Sequence, residues 1–387
     1  MKIKTAAIAA AALFGVCAFA GCKKTTYSVY TNMPQSSYTL SDKSYKLAAE
    51  IGGYCAEQKQ FEDKDTSAYT SLGRYFFSMM ADAQLVASDD FTKDGAQENY
   101  ANFNKAVSDV LNGVDKALST SVDNSDVSRF NAAPAGKTIE ICEITYNVLS
   151  EAKYVYNLTD GCYNPALYYN IQAYGFGGAE DFPHSESELP SAETVAQYTD
   201  LASHFGEVDL SEAEGKFYVK KPDYTVTVGE ETLSMKLDLG GIGKGYAVDK
   251  IDGLFDEYGY EFGYFNFGSS SILFKSNVKA GSWNLGLSGP RSINRDAYLQ
   301  TKVRGEKLST SGDDEQYYKI GKTRYCHVID PATGKPVQTG IMSVTVIGGG
   351  AAQADALTTA IMCMGKDRAI EFIEGKLTDR KVTFTCE

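Results

Sequence analysis

Apolar positions along the chain fall into a few periodic runs separated by long irregular stretches. Phe103, Val107, Val110, Leu111, Val114 and Leu118 recur at helical spacing on one face, and Ile141, Ile144, Val148, Ala152 and Val155 repeat the pattern. Two amphipathic helices are therefore expected before Asp160. A third is expected over 244–258, with Ala247, Ile251, Leu254 and Phe255 facing inward, and a last apolar helix over about 352–364. Alternating or β-rich runs at 217–228, 264–267, 271–274 and 343–347 read as strands, and a helical pattern near 191–205 precedes the first of them. Helices in groups and strands in runs, with no internal repeat, favour an α+β fold over a doubly wound parallel sheet.

The N-terminus follows a different logic. Lys2 and Lys4, an apolar run from Ala6 to Phe19 and small residues before Cys22 have the layout of an export signal over 1–21. Phe19-Ala20-Gly21-Cys22 resembles a bacterial lipobox, whose cysteine is lipidated and becomes the new N-terminus. The expected organisation is thus a signal peptide (1–21), a polar Ser/Thr/Tyr/Lys-rich tether (22–46) and one folded domain (47–387), held at the cell envelope outside the cytoplasm by a lipid on Cys22. Charge excludes one class of partner: 50 acidic against 37 basic residues give a net charge of -13, which repels phosphate backbones, so no nucleic acid is expected. Three histidines and no CxxC spacing argue against a zinc centre. Cys55, Cys142, Cys162, Cys326, Cys363 and Cys386 leave room for one or two disulfides.

Four segments carry candidate chemistry. Leu237-Asp238-Leu239-Gly240-Gly241-Ile242-Gly243-Lys244-Gly245 reads as a strand running through a glycine turn into a helix, which lets backbone approach a ligand and offers free amides to an anion. It is neither a Walker loop nor a dinucleotide fingerprint, and the bland reading is a structural turn. Asp355 and Thr359, four apart, share a helix face where one hard cation fits between carboxylate and hydroxyl; the bland reading of the aspartate is a helix-dipole residue. His327, in the run His327-Val328-Ile329-Asp330-Pro331, is read either as a general base or as a packed neutral imidazole. Asp160-Gly161-Cys162-Tyr163-Asn164-Pro165 is, alone, an ordinary loop.

Together and in this order, with Ser128-Arg129-Phe130-Asn131 and the stretch Val344–Leu357, these segments resemble the FAD:protein FMN transferase family, called ApbE, from about Ser71 to Cys363. The resemblance implies a single ApbE-like α+β domain with a flavin cleft between two sub-regions. It implies FAD as substrate, Mg2+ as cofactor, and FMN passed to a threonine of an acceptor flavoprotein with release of AMP. The acceptor class it implies is a membrane or extracytoplasmic electron-transfer protein bearing a Ser/Thr-containing motif. Carried over by residue, the resemblance gives Asp355, Thr359 and the Gly241 carbonyl as metal ligands. Flavin contacts would come from Leu72, Cys162, Tyr163, Asn164, Asp238, Lys244 and Ile329, and His327 or Asp355 would act on the acceptor hydroxyl. The chain departs from the family pattern at Leu72-Gly73-Arg74 for Met-Gly-Thr, at Ser121 for an aromatic residue, at Asn164 for Asp and at Asn266–Ser270 for Asn-x-Gly-Gly-Asp. Alternative readings are a magnesium-dependent FAD pyrophosphatase, with water as acceptor, and a non-catalytic flavin-binding lipoprotein.

Overall fold

The computed structural model describes residues 25–30, 68–70, 75–76, 79–87, 93–178, 182–268, 270–276, 283–288, 290–291 and 297–386. The signal peptide, Cys22, Cys55 and Leu72 lie outside these residues. In chain order the strands are β1 (Thr25–Tyr30), β2 (Ala68–Thr70), β3 (Tyr75–Phe76), β4 (Met79–Ala87), β5 (Thr138–Ile141), β6 (Asp209–Ala213), β7 (Lys216–Lys220), β8 (Thr225–Val228), β9 (Glu231–Ser234) and β10 (Tyr260–Phe267). They continue as β11 (Ser271–Ser276), β12 (Trp283–Ser288), β13 (Ala297–Val303), β14 (Lys307–Gly312), β15 (Tyr317–Ile320), β16 (Thr323–Cys326), β17 (Ile329–Asp330), β18 (Lys335–Pro336), β19 (Ile341–Ile347) and β20 (Lys381–Cys386). The α-helices are α1 (Lys93–Leu118), α2 (Asp126–Ala132), α3 (Glu143–Leu158), α4 (Tyr168–Ala173), α5 (Ala192–Ser203), α6 (Gly240–Glu257), α7 (Ala351–Met364) and α8 (Lys366–Lys376).

The main sheet runs β1-β20-β19-β14-β11-β10-β4-β2, with β3 hydrogen-bonded to β4. Every described pairing is antiparallel, and smaller sheets of two or three strands surround this one. Helix α7 lies on β14 and β19, and α6 packs against both α7 and β11. All seven residues of β19 are buried, which suits a continuous apolar strand covered on both faces. Helix α7 is apolar almost all round, as a helix enclosed on every side must be.

Several sequence expectations shift on contact with the fold. The periodic face of α1 is buried at Phe103, Val107, Leu111, Val114 and Leu118, with Phe103 meeting Phe255 and Tyr260 edge-on at 5.4 and 5.0 Å. In the second run, Ile141 belongs to β5 and the helix begins only at Glu143. The expected strand before the glycine turn does not form. Instead Gly240 through Lys244 are already helical, because the Asp238 carboxylate accepts the Gly240 amide at 2.8 Å and so starts the helix ahead of the glycines. Helix α7 is not the last element either: α8 and β20 follow it. The tether expectation is corrected at Thr25–Tyr30, which pairs with β20; its Thr-Thr-Tyr-Ser-Val-Tyr sequence is β-branched and aromatic, and it covers a sheet edge. The five described cysteines, Cys142, Cys162, Cys326, Cys363 and Cys386, are all free thiols.

One contact sets the spacing of α6 and α7. A Cβ on Gly245 would stand 2.1 Å from the Ala351 carbonyl oxygen and 2.8 Å from the Ala352 Cα, so only glycine lets the two backbones meet. Glycine inside a helix ordinarily costs about 1 kcal/mol relative to alanine, so Gly245→Ala at a free helix position would stabilise. Here the opposite sign is expected: about 1–3 kcal/mol of destabilisation by overpacking, measured by urea unfolding. A stability gain would show that the helices part freely.

Candidate functional site

The site is assembled where α6 begins beside α7. The Gly245 amide, four residues after Gly241 and so the regular helical donor to its carbonyl, reaches Asp355 Oδ2 at 3.1 Å. One turn further along α6, the Asp249 carboxylate accepts the Ala351 and Ala352 amides, each at 2.9 Å, and caps the N-terminus of α7. Lys307 on β14 holds that carboxylate from its other side at 2.7 Å. Sequence reading missed Asp249, although its place near the glycine segment was the available signal.

Asp355 is buried, 3% exposed, and burial pushes its carboxyl above the usual range, against the pull of Lys244, the Gly245 amide and Ser271. Gly241 faces Thr359: a Cβ on the glycine would lie 3.5 Å from Thr359 Oγ1 and 3.7 Å from the Tyr163 ring. The Tyr163 hydroxyl is buried without a hydrogen-bond partner, and burial, with Asp355 and Asp238 nearby, raises it well above its ordinary value. Among the described residues, no three His, Cys, Asp or Glu side chains cluster as a metal site. Asp355 and Thr359 on α7 lie beside the Gly241 and Gly245 backbone of α6, an oxygen-rich neighbourhood. An all-oxygen set around a desolvated anion fits a hard divalent cation such as magnesium, with water or phosphate completing the shell.

The other segments converge on the same place. Asn131 clamps the strand-like segment before the glycines from both sides, donating to the Leu237 carbonyl at 2.9 Å and accepting the Leu237 amide at 2.7 Å. The Asp238 amide donates to the Pro165 carbonyl at 2.8 Å, which ties in the loop after α3. That loop turns sharply through Asp160 and Gly161, at φ +50° and +80°. Cys162 and Tyr163 are buried there, and burial raises the Cys162 thiol. Asn164 uses both ends of its amide within the fold, donating to the Ala202 carbonyl and accepting the Ala166 amide at 2.9 Å each. Its side chain thus ties the loop to α5.

Lys244 is the electrostatic hub: its charge lowers Asp238, Asp355, Glu315 and His327 alike. Glu315 was not foreseen, because Asp313-Asp314-Glu315 matches no motif. Its carboxyl is pushed up to about 7, mainly by burial and also by Asp355 and Asp314. By area its side chain is exposed, with protein on the side that faces Lys244 and Asp355. His327, half-buried, follows β16 directly, and its backbone amide donates to the Gln316 carbonyl at 3.1 Å. Its Nδ1 lies 3.4 Å from the same carbonyl, which can only accept, so Nδ1 carries the proton and Nε2 is left as an acceptor. Ile329 is buried beside it, its carbonyl accepting the Cys363 thiol at 3.6 Å.

Desolvation, then Lys244, pull His327 down from 6.5 to about 4. The unfolded chain binds the extra proton between those two values, so this group's contribution to stability rises with pH from about 4 to 6.5. In proton NMR of the metal-free chain, one of three histidine C2 resonances should stay flat from about pH 5 upward. Its disappearance in His327→Gln assigns it; an ordinary titration curve at that position would refute the desolvated placement.

A 26% identical FAD:protein FMN transferase of Vibrio cholerae aligns over 267 residues, 68% of this chain and 74% of that protein. The Treponema pallidum FAD:protein FMN transferase is 26% identical over 289 residues, 72% of this chain and 75% of its own length. Among solved structures, the ApbE protein of Thermotoga maritima superposes with a TM-score of 0.64 at 24% identity, over 81% of this chain and 93% of that one. The Pseudomonas stutzeri flavinyl transferase ApbE gives 0.62 at 23%, over 80% and 88%. These structures share the fold, and the sequence model of the ApbE family matches residues 79–384, well over half of the protein: the chain belongs to the ApbE family.

Proposed function

We propose that this chain is a FAD:protein FMN transferase, moving FMN from FAD to a hydroxyl of a protein acceptor. The observation that carries this reading is the buried Asp355 carboxylate set beside Thr359 and Gly241 under the field of Lys244. The relatives' names supply the reaction class. In that reaction the acceptor oxygen forms a bond to the FMN phosphorus while the bridging P–O bond breaks. AMP leaves with the bonding electrons, and the hydroxyl proton passes to a base.

Asp355, Thr359 and the Gly241 carbonyl would hold magnesium, which when bound neutralises phosphate charge and steadies the leaving group. Lys244, at the start of α6, places a fixed cation beside the pyrophosphate. The loop at Cys162 and Tyr163, with Asp238 and Ile329, walls the cleft and excludes water from the flavin. His327, held beside the Gln316 carbonyl, or Asp355 would take the acceptor proton. Glu315, its carboxyl raised, would partly balance the charge of Lys244. The N-terminal pattern supports export and lipid anchoring at Cys22, which would bring the enzyme to acceptors outside the cytoplasm.

The test is mass spectrometry of a threonine peptide carrying a flavinylation motif after incubation with the chain, FAD and magnesium. The expected product is an FMN adduct with one AMP released per adduct. FMN and AMP without adduct would replace transfer by hydrolysis. Asp355→Ala should lower adduct formation by about a thousandfold and leave a folded chain by circular dichroism. Thr359→Ala, losing one neutral ligand, should cost about 10- to 100-fold, partly recovered at high magnesium. Chelation should abolish activity, and added magnesium should restore it.

A further inference from the structure

The hairpin β15–β16, directly before His327, has two unlike faces. On the inner one Tyr318 and Tyr325 stack at 5.2 Å and 8°, and Phe182 and Phe176 stack on Tyr318 at 5.4 and 5.5 Å. Tyr174 extends the stack beyond Tyr325, so the hairpin is anchored by aromatic packing. On the outer face Tyr317 is 40% exposed, one of three exposed large hydrophobic side chains among the described residues. The Arg324 guanidinium lies 3.6 Å over its ring.

From Tyr317 to Cys326 the hairpin carries Lys319, Lys322 and Arg324 and no carboxylate, in a chain of net charge -13. Lys319 and Arg324 are directly cross-strand partners. Like charges opposed in this way destabilise a hairpin. Among the described residues no carboxylate pairs with any of the three cations. Arg324 donates instead to the Asp313 carbonyl at 3.2 Å. Of the acidic residues just before the hairpin, Asp313 is engaged by the Arg291 guanidinium at 3.0 Å and Asp314 by the Arg291 backbone amide at 2.7 Å, while Glu315 stands exposed two residues before Tyr317. An exposed aromatic ring, an arginine stacked on it and uncompensated positive charge are the composition of a protein-recognition surface.

We propose that this outer face is where the acceptor polypeptide docks, and that the docking segment is acidic. Its carboxylates meet Lys319, Lys322 and Arg324, and an apolar side chain lies on Tyr317. The inference rests on the reading that the acceptor is a protein. It follows from continuity: Gln316 precedes Tyr317 and holds His327 through its carbonyl, so a chain laid along the hairpin arrives beside the imidazole. The repulsion between Lys319 and Arg324 is then relieved only in the complex, and the exposed pair favours acidic over neutral partners.

The double variant Lys319→Glu/Lys322→Glu separates recognition from folding. Glutamate at 319 faces Arg324 as an opposite charge, so the melting temperature should rise by about 1–2 °C. Two short labelled peptides serve as probes, each with a central threonine, one flanked by aspartates and the other by asparagines. Their binding to the full chain with FAD and magnesium is read by fluorescence anisotropy. The aspartate peptide should bind more tightly, weaken at raised ionic strength, and lose about tenfold or more on the double variant. Tyr317→Ala should weaken it further, and FAD affinity, read by flavin fluorescence quenching, should stay at the wild-type value. Equal affinity for both peptides, binding of neither, or undiminished binding to the folded double variant overturns the proposal. So does a parallel loss of FAD affinity, which would place the hairpin in the flavin cleft. AMP formed with the motif peptide reports on transfer alone, so failure of that reading is told apart from failure of this one.

Discussion

The close approach of α6 and α7 at Gly245 is the constraint on which the site depends. Asp355 and Thr359 stand on one helix, Gly241 and Lys244 on the other, and no hydrogen bond of the main sheet fixes their separation. Contact between the Gly245 backbone and Ala351 sets the distance, while the Asp249 carboxylate on the α7 amides sets the axial register. Both are short-range and directional, so a cleft built across two helices keeps a defined geometry before any ligand arrives. Lys307 of β14 in turn holds Asp249, and Ser271 of β11 bonds to Asp355, so the sheet below also enters the site.

Burial decides the chemistry of the groups so placed. Asp355 and Asp238 have their carboxyls raised, chiefly because solvent is displaced from around them, and Lys244 compensates only in part. A cluster with more desolvated anions than cations attracts a further positive charge. The magnesium ion proposed for this site would meet that need.

Legibility in the sequence followed range. Local periodicity found α1, most of α3 and the apolar α7, because burial of one face leaves a mark every three to four residues. Glycines around Gly241 marked a close backbone approach, but the pattern could not show that Asp238 would draw them into the helix. Asp249, Glu315 and the clamp of Asn131 on Leu237 act across separations of tens to more than one hundred residues, as with Asn131 at 106, and leave no local trace. The strand at Thr25–Tyr30 was hidden by polar composition, since its partner β20 lies at the opposite end of the chain. Disulfides were open on cysteine count alone, whereas the five described cysteines are all free thiols.

That N-terminal strand bears on how the enzyme would sit at a membrane. Thr25 is three residues beyond Cys22, a span of at most about 11 Å even fully stretched. A lipid on Cys22 would therefore hold the sheet edge nearly flush with the headgroups, without a long leash. The domain would then present a restricted range of orientations to its surroundings, and acceptors would have to reach the mouth of the cleft from the side that this short stem leaves free.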